Sequence, residues 1–315
     1  MNLHDLVTSY VDFRRTLGEK CLTNEVILRS FCRTVGLRTQ ISRIRTKNVN
    51  AFLAGTGPIT NAWHVRYSSL KGFFQFAVSR GYLDHVPLPT ALPKRHPTLV
   101  PYIYSREEIR RLLDATLSFR RFPKPIEPPT VRAIVLVAYG AGLRRQEILD
   151  LSLADADLPN RLLTIRDTKF FKARLVPIGR DLAKALSDYA SWRAAMHPVA
   201  GAGSRFFVTR DGTAINRWTL HHAFARLRRY AGVPRSDGGR YQPRLHDLRH
   251  AFAVHRLIAW YEEGADVQRL VYHLSVYLGH VTLAETQVYL TMMPKLLQQA
   301  GTLFERYARG EDSHA

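Results

Sequence analysis

The chain has 315 residues and a net charge of +20, with 46 Lys and Arg against 26 Asp and Glu. Its 46% hydrophobic and 23% charged residues are those of a folded chain, which excludes a disordered polyelectrolyte or a collagen-like repeat. No run approaches the ~18 apolar residues of a membrane span, the start lacks a secretory pattern, and two cysteines, Cys21 and Cys32, are too few for a disulfide framework, so a reducing cytoplasm is expected.

Residues 1–86 read as an all-helical domain. Leu6, Tyr10, Val11, Phe13 and Leu17 recur at loose helical spacing, as do Phe73, Phe74, Phe76, Ala77 and Tyr82. Thr60 is placed to start a long helix through Arg80 that Gly81 ends. Residues 87–104 form a linker, because Pro87, Pro89, Pro93, Pro97 and Pro101 forbid a helix interior or a central strand. The second domain, 105–315, opens on Ser105 and Glu108 in capping-box positions. Pro128-Pro129-Thr130 leads into an apolar core helix, broken at Gly140 and Gly142. Leu162–Arg166 and Arg174–Ile178 read as a hairpin, and Arg205–Thr209 is a candidate third strand. From Trp218 on the pattern is helical, apart from the Gly/Arg-rich loop 232–244. The fold class is mainly α: a helical N-terminal domain, then an α+β domain with a small antiparallel sheet.

The charge is not confined to one tail. The chain carries +9 before Thr98 and +11 after it. Two basic domains suit a polyanion between them, and nucleic acid is the leading partner.

Three clusters carry chemistry-bearing residues: Tyr139–Ile148 with Arg144 and Glu147, His246–Ala253 with Arg249 and His250, and Leu278–Tyr289 with His280. Lys169 and Lys172 sit at the hairpin turn. Taken singly, Arg144 and Arg249 read as solvated cations and Tyr289 as a core residue. Taken in order, Gly142-Leu143-Arg144 with Glu147, Lys169 before Arg174-Leu175-Val176-Pro177, His246-Asp247-Leu248-Arg249-His250, Leu278-Gly279-His280 and then Tyr289 resemble the tyrosine recombinases, or phage-type integrases, from about Ser105 to Tyr289. The N-terminal helical domain is similar in pattern and position to the family's core-binding domain.

The resemblance implies a site-specific DNA recombinase. Tyr289 would attack a phosphodiester, giving a 3′-phosphotyrosine and a free 5′-hydroxyl. Arg144 and Arg249 would clamp the phosphate, since a guanidinium donates paired hydrogen bonds and stays cationic. His280 and His246 would donate to the phosphate oxygens or handle protons. Lys169 would protonate the leaving oxygen, with Lys172 as its rival. Glu147 and His250 would support these groups. No metal, ATP or other cofactor is implied, because the phosphotyrosine conserves the bond energy. The partner would be double-stranded DNA, bound by a homo-oligomer (a tetramer on two sites) or a hetero-oligomer with sister recombinases. No membrane is involved, and the location is cytoplasmic and nucleoid-associated.

Local patterns add detail. Thr282 and Glu285 are placed as a capping box, so a helix from Thr282 would leave His280 in a turn and carry Tyr289 in its second turn. The 31 residues from Arg249 to His280 exceed the usual family interval, a feature similar to the transposon-encoded branch. An apolar stripe over 294–308 is the candidate helix exchanged between subunits, with packing in cis as the alternative. Arg66 and Lys71 are candidate DNA contacts. Asp247 reads as a helix-start residue, and His221 and His222 as helix surface. A topoisomerase with the same chemistry and a non-catalytic DNA-binding relic are the rival readings.

Overall fold

The computed structural model describes residues 1–55, 57, 59–95, 100–118, 125–166, 173–198 and 201–292. These form two compact units, one before and one after residues 99–100.

The first unit is helical. It contains α1 (Leu3–Thr16), α2 (Leu22–Val35), α3 (Thr46–Ala54) and α4 (Asn61–Ser79). Asn2 caps α1 by accepting from the Asp5 N–H, and Thr60 caps α4 by accepting from the Ala62 N–H. Each cap satisfies a donor that the first helical turn leaves open. Leu6, Tyr10, Val11, Phe73, Phe74 and Ala77 enter one core. Phe13, Leu17 and Tyr82 do not, because their positions face solvent. Phe13 instead stacks on Phe76, at 5.3 Å between ring centroids.

The second unit opens with α5 (Arg106–Ser118), where Ser105 and Glu108 bond reciprocally as a capping box. The apolar α6 (Pro128–Gly140) has proline in its first turn, where the missing N–H costs nothing. It is a central core helix, with Val131, Ile134, Val135 and Val137 all buried. The chain then turns through Gly142 into the short α7 (Arg145–Asp150).

Three antiparallel strands follow in the order β1 (Ala156–Asp157), β2 (Leu162–Ile165) and β3 (Arg174–Pro177), with Leu163 opposite Val176 and Ile165 opposite Arg174. The hairpin matches the sequence reading, but the third strand does not. β1 takes that place, while 205–209 makes only isolated bridges, Ser152 to Arg205 and Val208 to Ala214. The reason is side-chain burial. Phe206, Phe207 and Val208 are all buried in succession, so the segment plugs the core instead of alternating between two faces.

The remaining helices are α8 (Arg180–Met196), α9 (Arg217–Tyr230), α10 (Asp247–Glu262), α11 (Val267–Leu278) and α12 (Ala284–Gln287). The extra length between Arg249 and His280 is the end of α10, a turn at Gly264 and α11. The expected helix from Thr282 through Tyr289 shrinks to the single turn α12. Thr282 supplies no side-chain cap, and Tyr289 lies between α12 and a 3-10 turn over Leu290–Met292. The segments 167–172 and 294–308, with Lys169, Lys172 and the candidate exchange helix, lie outside the described residues. No helix among the described residues is long and apolar enough to cross a membrane.

Candidate active site

Arg144 and Glu147 stand at the start of α7. The Glu147 carboxylate accepts from the Arg144 backbone N–H at 2.8 Å and from its guanidinium at 3.0 Å. It also accepts two parallel bonds from Arg174 on β3, both at 2.9 Å, and it lies 4.0 Å from the Arg249 guanidinium. One carboxylate therefore organises three arginines from three elements. Burial works to raise its pKa, but the hydrogen bonds and charge of Arg174, helped by Arg144, outweigh burial and hold it below the ordinary range.

Backbone carbonyls fix the guanidiniums further. Arg144 donates to Gly279 O at 2.8 Å, and Arg174 to Tyr277 O at 3.0 Å. Arg249 donates to Gly142 O at 2.7 Å and to Leu278 O at 2.9 Å. Gly142 and Gly279 therefore aim a carbonyl at an arginine, and both have positive φ, +59° and +67°. A Cβ on Gly142 would lie 2.6 Å from Phe252 Cδ1, and one on Gly279 would lie 2.8 Å from the Arg174 guanidinium. Glycine is required at both by conformation and by space. Arg249 is 2% exposed. Burial, then the charge of Arg144, lowers it to about 10, so it remains cationic at neutral pH.

α10 presents its N-terminal face to the same place. His246 is its N-cap residue, and the His246 and His250 rings meet edge-on at 5.0 Å. Asp247 is buried and accepts from the Arg244 backbone and guanidinium, as a helix-start residue does. His250 Nδ1 lies 3.0 Å from the Tyr289 hydroxyl. His280, in the turn after α11, bonds through Nδ1 to the Thr286 hydroxyl at 2.6 Å, and its ring stacks on Tyr289 at 6.1 Å. Tyr289 is 3% exposed and packs against Ala253, Val254, Leu257 and Leu278.

The electrostatics follow from burial amid cations. Burial, then His250 and Arg249, pushes His246 down to about 4. Burial pushes His250 to about 4, with Asp247 opposing and Arg249 adding to the shift. Burial, then Arg249 and Arg144, takes His280 to about 3. All three rings are neutral at pH 7. Burial raises the Tyr289 phenol, while the charge and hydrogen bond of Arg249 and the charge of Arg144 pull it back.

The structure thus brings Arg144, Glu147, His246, Arg249, His250, His280 and Tyr289 into one cluster. Lys169 is not described. Arg66 and Lys71 belong to the first unit: Arg66 lies over the Phe52 ring at 5.7 Å, and Lys71 is exposed on α4. Two contributors had no sequence role, Arg174 and Thr286. Arg174 sits next to the hairpin turn in a motif already singled out, but nothing in the sequence says that it points at Glu147. Among the described residues no group of three or more His, Cys, Asp or Glu could hold a metal ion.

Known proteins match over most of the chain. The profile of the phage integrase family matches residues 104–295. The putative integrase/recombinase y4rB of Sinorhizobium fredii is 35% identical, over 97% of this chain and 97% of the relative. The tyrosine recombinase XerC of Chlorobaculum tepidum is 31% identical, over 75% of this chain and 70% of the relative. Among solved structures, the integrase of transposon Tn1549 in complex with transposon right end DNA superposes with a TM-score of 0.69, at 16% identity, over 98% of this chain and all of that one. A lambda integrase dimer bound to a core site gives 0.59 at 17% identity, over 90% of this chain and 96% of that one. At these identities the two structures speak for the fold.

Proposed function

This chain belongs to the phage integrase family, and we propose that it is a site-specific DNA recombinase in which Tyr289 cuts and rejoins duplex DNA. The observation that carries this reading is the convergence of a buried tyrosine with two guanidiniums, Arg144 and Arg249, tied together through Glu147.

The Tyr289 oxygen attacks phosphorus as its proton leaves. His250 is the acceptor within hydrogen-bond distance, since a neutral ring can take the phenolic hydrogen at Nδ1. The P–O5′ bond breaks, and the departing oxygen takes a proton from Lys169. A 3′-phosphotyrosine and a 5′-hydroxyl result. Negative charge gathers on the non-bridging oxygens in the transition state, and Arg144 and Arg249 are preorganised cations for it. His280 and His246 donate to the same oxygens. Attack by a 5′-hydroxyl reverses every step, so rejoining draws on the conserved bond and needs neither ATP nor a cofactor.

The two basic units, joined by the 87–104 linker, both bind duplex DNA, with Arg66 and Lys71 on backbone phosphates. Strand exchange needs a homo-oligomer, a tetramer on two sites, or a hetero-oligomer with sister recombinases. The 294–308 segment is the candidate for exchange between subunits, with packing in cis as the alternative. The Tn1549 likeness and the long Arg249–His280 interval support integration, excision or transposition of a mobile element, at the nucleoid in the cytoplasm.

The test is a nicked duplex carrying the inverted repeats that flank the element, in which a released fragment traps the cleaved state. The wild-type chain should accumulate a covalent protein–DNA adduct and Tyr289→Phe should form none. An adduct that persists in Tyr289→Phe removes the nucleophile from the reading, and no adduct with the wild-type chain removes the reading itself.

A further inference from the structure

A cleft of about 360 Å3 shares Arg144 and His246 with the active site but is otherwise built from other residues. Arg145, Arg217 and Arg244 line it with His221, above an apolar wall that includes Leu220 and Phe224. No acidic side chain lines it. Arg244 is committed to Asp247 by an ion pair at 2.8 Å. Among the described residues, Arg145 and Arg217 have no acidic partner. The cleft is therefore a concave cationic surface without its counter-charge. Burial lowers the Arg145 pKa, and the charges of Arg217 and Arg244 add to the shift.

The shared wall identifies the anion. In the function proposed above, Arg144 holds the scissile phosphate. Arg145 is the next residue in the chain and lines the same cleft, so the cleft opens directly beside the Arg144 clamp, where the neighbouring phosphates of the same strand lie. Arg217, the first residue of α9, brings a second guanidinium to the same cleft. A phosphate diester accepts from several N–H donors at once, which suits converging guanidiniums.

We propose that this cleft is a second phosphate subsite, in which Arg145 and Arg217 bind a backbone phosphate of the cleaved strand within two nucleotides of the scissile one. This rests on the recombinase reading, and its role is to fix the register of the strand so that the correct phosphodiester reaches Tyr289.

The experiment uses the full chain and the duplex site, with affinity measured across a salt series. Arg145→Ala/Arg217→Ala should bind about 10- to 100-fold more weakly, the range for lost charge-assisted hydrogen bonds. The slope of log affinity against log salt should fall by about one. Arg145→Lys/Arg217→Lys should keep most of the slope. Neutral methylphosphonates placed one at a time around the scissile position should weaken wild-type binding at one linkage within two nucleotides, and the double alanine variant should be insensitive at that linkage. An unchanged salt slope, or a variant still sensitive at the same linkage, overturns the subsite. Competition by inorganic phosphate beyond its ionic strength, lost in the variant while no linkage matters, assigns the cleft to a free anion and also overturns it. Binding is read without cleavage, so the wild-type adduct on the same DNA tests the recombinase reading separately.

Discussion

Replacing Glu147 by glutamine removes the charge that holds three arginines together. Its side chain is 10% exposed and accepts from Arg144 at 2.8 and 3.0 Å and from Arg174 twice at 2.9 Å. Glutamine keeps one oxygen acceptor and turns an N–H donor toward guanidiniums. Removing one partner of a buried ion pair costs about 3–5 kcal/mol. Here the three cations differ in recourse. Arg144, at 34% side-chain exposure, can turn to water, whereas Arg174 at 13% and Arg249 at 2% cannot. The glutamine oxygen still accepts from one of these guanidiniums, so the low end of that range, about 3 kcal/mol, is expected. For a unit of this size that lowers Tm by about 6–12 °C. Loss of the Arg144 tether should also slow adduct formation on the nicked site about 100-fold, as for other preorganised phosphate or oxyanion donors. Thermal unfolding by circular dichroism and single-turnover adduct formation read the two effects. Asp150→Asn is the control, because the Arg205–Asp150 pair is well exposed and should contribute under about 1 kcal/mol. A Glu147→Gln protein that melts within about 2 °C of wild type, or that cleaves at the wild-type rate, refutes the view that this carboxylate organises the site.

Three further outcomes are expected. His250→Gln should slow adduct formation about 100-fold, the scale of lost base catalysis, and trifluorotyrosine at position 289 should recover most of it; an equal defect with the more acidic phenol would make His250 a positioning residue. Gly142→Ala should cost about 2–4 kcal/mol, from the left-handed backbone and the crowding against Phe252, seen as a lower Tm together with lost cleavage as the carbonyl under Arg249 shifts. On acidification, stability should begin to fall near pH 6.5: His246 and His250 at about 4 and His280 at about 3 lie below the unfolded value of about 6.5, so between these limits the unfolded chain takes up protons that the folded chain refuses. Glu147 adds a further loss below its unfolded value of about 4.3, as pH falls through its lower folded value. Urea titrations from pH 7 to 4 check this, and a stability that does not change over that range contradicts the buried neutral histidines.

Much of this molecule was legible in its residues. Thr60 and the Ser105–Glu108 box marked helix starts that the chain uses, since capping depends on neighbours a few positions away. The hairpin strands were legible for the same reason. The ordered motifs from Arg144 to Tyr289 pointed to the chemistry.

What the sequence could not decide depends on groups brought together from distant positions. Arg174 reaches Glu147 only because β3 packs against α11, whose Tyr277 carbonyl holds the guanidinium in place. The carbonyls of Gly142 and Leu278 meet Arg249 only because the turn after α6 and the end of α11 both lie against α10. The segment 205–209 looked like a strand by composition, yet burial of three successive side chains made it a core plug. The helix expected through Tyr289 gave way to one turn, because a single local cap signal is weaker than the burial of Tyr289 against α10 and α11 and its bond to His250. Local signals set which residues can start, stop or cap an element; the long-range packing of those elements set which charges share a carboxylate and which ring faces the tyrosine.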